Sequence, residues 1–112
     1  MKIDFIGLEM ITFHDLPLKN LSIQLEPFPK VEMNVSEYDE EIEDYIERTI
    51  IFKELAHLNP QTLKIEDYKD VEITAFDYRL EGELFVGKIV GLTGFGKPSF
   101  EIDLSCRTVE II

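Results

Sequence analysis

From Phe100 to Arg107 apolar and polar residues alternate without a break: Phe100, Ile102, Leu104 and Cys106 on one set, Glu101, Asp103, Ser105 and Arg107 on the other. A period of two is the signature of a strand with one dry and one wet face, and no helix satisfies it. The same alternation recurs at Leu21, Ile23 and Leu25, and again at Val31, Met33 and Val35, on either side of Pro27-Phe28-Pro29. Proline has no N–H to donate to a ladder, so these two runs read as strands joined at a hairpin or corner. Val71, Ile73 and Ala75 give way to Phe76, Tyr78 and Leu80, a change of parity that predicts a bulge or a switch of face. A second such change follows Thr108, where the apolar set moves to Val109 and Ile111. Glu81-Gly82-Glu83 is a turn, Leu84 to Leu92 a further strand, and Gly91, Gly94, Gly96 and Pro98 mark the loop before the last strand. Residues 71 to 112 therefore read as a three-stranded antiparallel meander.

Residues 36 to 58 are ambiguous. Ser36 with Asp39 three residues on, the acids through Glu43, and Asn59-Pro60 are helix start and stop signals. Thr49-Ile50-Ile51-Phe52 is β-branched and aromatic, and from Ile50 onward the apolar residues would surround a helix. The balance favours a strand over about 45 to 54 after an acidic loop. The expected fold is all-β, or β with one short helix: about seven antiparallel strands in a sandwich or strongly curved sheet. With 112 residues and no linker or repeat, the chain is read as a single domain, 1–112.

Acids outnumber bases 23 to 11, a formal net charge of -12. Nucleic acids and anionic membranes bind through lysines and arginines, so neither is an expected partner. A basic protein is, since complementary charge speeds and orients association. No run approaches the roughly 20 apolar residues of a membrane span, and Met1-Lys2-Ile3-Asp4 does not open a signal peptide. One cysteine, Cys106, fits a reducing compartment, so the cytoplasm is the expected location.

The candidate chemistry is thin. Gly91 to Lys97 matches the first seven positions of a phosphate-binding P-loop, but Pro98 stands where Ser or Thr should, and a strand follows where a helix is required. His14-Asp15 is a candidate base and partner, but neighbours on an extended chain face opposite ways, and no nucleophile accompanies them. His14, His57 and Cys106 lack zinc-ligand spacing, and Cys106 falls on the inward face of its strand. No catalytic residue, metal ligand or cofactor is expected. Glu37, Asp39, Glu40, Glu41, Glu43, Asp44 and Glu47, seven acids with no base among them, lack the glycine-centred spacing of a calcium loop and form the expected partner-binding patch.

Phe13-His14-Asp15, the strands at Leu21 to Leu25 and Val31 to Val35 leading to Tyr38, Ile50-Ile51-Phe52-Lys53, Val71 to Phe76, and the closing Phe100 to Glu110 occur in an order that resembles a group of small acidic bacterial β-proteins. Some of that group are immunity-protein-like. The resemblance implies a β fold and no catalytic residue to carry over, it favours a strand within 36 to 58, and only through its immunity-protein-like members does it point to a toxin as partner. The expected function is a non-enzymatic binding protein, an immunity protein that neutralises a basic toxin through its acidic surface. The alternatives are a small-molecule-binding β-domain with His14 or His57 in its pocket, or a module that forms homo-oligomers through the edge Val109 to Ile112.

Overall fold

The computed structural model describes residues 2–61, 71–93 and 98–112. It contains β1 (Lys2–Ile3), α1 (Phe5–Glu9), β2 (Leu16–Gln24), β3 (Lys30–Asp39), β4 (Asp44–Gln61), β5 (Val71–Glu81), β6 (Leu84–Thr93) and β7 (Pro98–Ile111). The fold is all-β with one short helix. The strands lie in the order β1-β7-β4-β3-β2-β5-β6, and β6 also pairs with β7. That last pairing closes the expected curved sheet into a ring of six strands, each antiparallel to both neighbours. An even strand number is what lets an all-antiparallel ring close. β1 lies parallel to β7 at Thr108 and Val109, just past the Phe85–Cys106 pair where β6 stops following it.

Period-two residues fill the interior. Val31, Met33, Val35, Ile50, Phe52, Phe85, Ile89, Ile102, Leu104 and Cys106 are fully or almost fully buried. Each aliphatic or aromatic side chain so buried contributes about 1.5–3 kcal/mol. Phe13, Phe52, Phe76, Tyr78 and Phe85 form one aromatic cluster, with Phe13 stacked on Phe76 at 4.9 Å. The hairpin at the prolines forms, with Gln24 opposite Lys30. The meander forms as well, turning at Gly82, whose φ of +61° is a conformation glycine adopts without strain. The parity change before Phe76 is a bulge between Ile73 and Ala75.

The second parity change has another cause. Pairing of β4 with β7 runs from Ile50–Ile111 to Leu55–Cys106 without a slip, so β7 has no bulge there. Glu54, opposite this change, has φ +55° and turns β4 at the point where β3 ends, while Thr108 Oγ1 donates to Glu54 Oε1 at 3.2 Å. The ambiguous segment is strand throughout its second half, and the short helix lies at Phe5–Glu9 instead. Asp4 caps that helix, accepting from the Gly7 N–H at 2.9 Å. Val109 is not an open edge either: β4 flanks it on one side and β1 on the other.

Candidate functional site

Two strand departures shape the site. Leu18 of β2 pairs with Val35, but Leu16 and Pro17 pair with Ile73 and Glu72 of β5. β2 thus leaves β3 at Val35, and a bulge between Leu18 and Asn20 accompanies the turn-away. On the other side, β7 follows β4 only from Ile50, with the chain end bonded back to Thr49. The pairs from Ser36–Glu47 to Asp39–Asp44 therefore form a two-stranded finger that outruns its neighbours among the described residues. All seven acids of the expected patch lie on it: Glu37 and Asp39 on β3, Glu40, Glu41 and Glu43 in the turn, Asp44 and Glu47 on β4. The acidic loop expected before the strand is thus a hairpin tip.

At its root the finger is tied down. Glu37 accepts from the Thr12 backbone N–H at 3.1 Å and faces Arg48 Nε at 3.4 Å. That contact lacks hydrogen-bond geometry, and Arg48 Nε is buried with no other acceptor. α1 packs on β7 and the chain after it reaches Glu37, so Leu8 and Ile11 close the core at this end.

Toward the tip the charges are uncompensated. Asp39 and Asp44 stand directly opposite one another, although like charges in that position destabilise a sheet. At the far end of the same hairpin Lys30 stands opposite Lys53, but there Glu32 lies 3.7 Å from Lys30 and Glu110 lies 2.9 Å from Lys53. Among the described residues, six of the seven acids have no cationic partner; only Glu37 does. The carboxylates instead serve local N–H groups, Asp39 that of Glu41 at 2.9 Å and Asp44 that of Tyr45 at 2.7 Å. Between them sit exposed apolar groups. Tyr38 is 52% exposed, Ile42 59% and Tyr45 57%. The two tyrosine rings meet edge to face at 5.3 Å.

An open cleft of about 690 Å³ runs between the finger and the segment from Met10 to Pro17. Glu37, Tyr38, Asp39, Glu40, Glu41, Tyr45 and Arg48 line one wall, and His14, Asp15 and Glu72 contribute to the other. The histidine and aspartate do pair, at 3.2 Å, contrary to the expectation from an extended chain. Asp15 has φ +56° in a turn, which swings its carboxylate to the side of His14. Both side chains are largely exposed, at 79% and 61%, and no described serine or cysteine lines the cleft beside them except the buried Ser36. His57 is exposed and outside the cleft.

The remaining candidates disperse. Cys106 is buried in β7, its Sγ 3.6 Å from the Thr108 carbonyl, and burial pushes its thiol pKa up to about 11. Gly91 belongs to β6 opposite Phe100, and a Cβ there would fall 2.0 Å from the Phe100 ring. Its missing side chain makes room for that ring rather than for a phosphate. Gly94, Gly96 and Lys97 lie outside the described residues. Among the described residues no group of three or more His, Cys, Asp or Glu side chains is arranged to hold a metal ion, and no helix is long and apolar enough to cross a membrane. The two exposed tyrosines were legible as residues, but their meeting required the hairpin register. Comparison with protein families, with curated proteins and with solved structures finds no match to this chain.

Proposed function

We propose that the protein is a non-enzymatic binding domain whose acidic finger docks a basic protein. The observation that carries this is the coincidence, at one hairpin tip, of Asp39 opposite Asp44 and exposed Tyr38, Ile42 and Tyr45. The unneutralised like charges cost the free protein stability. Protein interfaces place apolar and aromatic anchors inside a polar rim, and tyrosine is enriched among the residues that dominate binding. A basic partner would neutralise the carboxylates while burying the tyrosines. This fits the immunity-protein reading, in which the partner is a basic toxin.

The test is capture of basic proteins from an extract of the source cells on the immobilised chain, at low and high salt, followed by co-expression of the chain with a captured protein that is toxic to the host. The wild-type chain is expected to retain a basic protein and protect the host. A variant with Glu40, Glu41, Glu43 and Asp44 replaced by Lys is expected to do neither. Equal capture and protection by that variant would overturn the proposal. The cleft volume favours a second reading, a small cationic ligand bound beside His14 and Asp15. It expects a raised melting temperature with polyamines, and an unchanged one would remove it.

A further inference from the structure

The finger has an unpaired backbone edge as well as a charge. The Thr49 N–H donates to the Ile112 carbonyl at 3.1 Å and the Ile112 N–H to the Thr49 carbonyl at 2.9 Å. Both backbone groups of Thr49 therefore point away from β3. Successive residues of an antiparallel strand direct their N–H and C=O to opposite sides, so Arg48 and Ile46 direct theirs toward β3, to Val35 and Glu37. The register holds without a slip from Lys30–Lys53 to Asp39–Asp44. Ser36 and Tyr38, between those bonded residues, must then direct their N–H and C=O away from β4. That is the side β2 occupies only as far as Pro17. Leu18 opposite Val35 is a pair without mutual bonds, so the Ser36 N–H donates to the Pro17 carbonyl, and beyond it no described strand covers the Ser36 carbonyl or the N–H and C=O of Tyr38. The cleft lies along this side, with Ser36 and Tyr38 in its wall.

We infer that an extended, basic segment of the partner protein adds to the sheet in this cleft, pairing with the Ser36 carbonyl and with the N–H and C=O of Tyr38 as an extra strand beside β3. This deepens the proposed function and rests on it. The incoming strand would lie about 4.8 Å from β3. Side chains alternate across a strand, so one set would meet the face that carries Glu37 and Asp39, and the other the face that carries Tyr38. The segment that fits is an alternation of lysine or arginine with apolar residues. Main-chain bonds to an open edge would supply affinity, and the alternating side chains specificity. Charge complementarity selects this occupant: Asp15, Glu37, Asp39, Glu40, Glu41 and Glu72 line the cleft against Arg48 and His14.

The test uses a capped peptide of alternating lysine and valine, titrated into the full chain while amide hydrogen exchange is followed by NMR. Exchange at the Tyr38 amide is expected to slow by more than about tenfold at saturation, as for an amide that enters a ladder, whereas the Ser36 amide, already bonded to Pro17, is expected to change little. The same peptide N-methylated at alternate residues keeps its charge but loses its edge donors, and is expected to bind more than about tenfold more weakly. Binding of both peptides with equal affinity, and no protection of Tyr38, would overturn strand addition while leaving the acidic docking surface intact. Absence of binding by either peptide, even at low salt, would overturn both.

Discussion

Replacing Asp44 by Asn removes one of two facing charges while keeping an oxygen that can accept the Tyr45 N–H, now bonded at 2.7 Å. Residues directly opposite in an antiparallel pair have Cβ atoms about 5 Å apart. Two unit charges at that distance repel by about 0.8 kcal/mol in a water-like medium, and by somewhat more where protein displaces solvent. Glu43 and Glu47, on the same tip and without a cation among the described residues, add to the repulsion. D44N is therefore expected to stabilise the free protein by about 0.5–1 kcal/mol at low salt. The increment should raise the melting temperature by about 2–5 °C for a domain of this size. Urea unfolding at about 20 mM and about 500 mM NaCl checks the cause, because the Debye length shrinks below the charge separation at the higher value and the gain should largely vanish. A loss of stability at low salt, or a gain independent of salt, would refute the idea that Asp39 and Asp44 frustrate the finger.

The other expectations concern the frame that holds the finger. Gly91→Ala should cost about 1–3 kcal/mol in urea unfolding, because the new methyl collides with the Phe100 ring, and Phe100→Leu in the same chain should recover part of it. Glu43→Gly should gain about 0.5–1 kcal/mol, since Glu43 is exposed and holds φ +52° where glycine is unstrained. The Cys106 thiol, with its pKa raised to about 11 by burial, should resist a disulfide reagent at pH 8 in the folded chain and react at once in urea. Because the folded state holds that proton more tightly than the unfolded one, the stability it contributes is complete below the ordinary thiol range and is lost as pH rises toward 11. A Cys106→Ala variant should lose less stability over that window.

Local patterning explains why some elements were readable and others were not. The hairpin around Pro27 and Pro29 and the meander after Val71 follow from alternation, proline and glycine, all of which act within a few residues. The segment from Ser36 was ambiguous for a chemical reason. Asp39 accepts the N–H of Glu41, two residues on, and an aspartate does much the same at the start of a helix. A turn and a helix cap therefore write the same residues into the chain. Asp4 carries that signal too, and there it does open a helix, one only five residues long. The His14–Asp15 contact was missed because a positive φ at Asp15 reverses the geometry assumed for an extended chain. Ring closure, the departure of β2 at Val35 and the cleft all depend on pairings between distant strands, which periodicity does not encode. The seven acids were found from composition, whereas the facing of Asp39 and Asp44 and the meeting of Tyr38 with Tyr45 needed the register.

The most direct measurement is a chemical-shift map of the isotope-labelled chain as the captured basic partner is added. The largest changes are expected at Ser36 to Glu47, with smaller ones at His14, Asp15 and Glu72 across the cleft. Changes confined to the opposite end of the hairpin, at Gln24, Phe28, Lys30 and Lys53, would contradict the acidic finger as the binding surface.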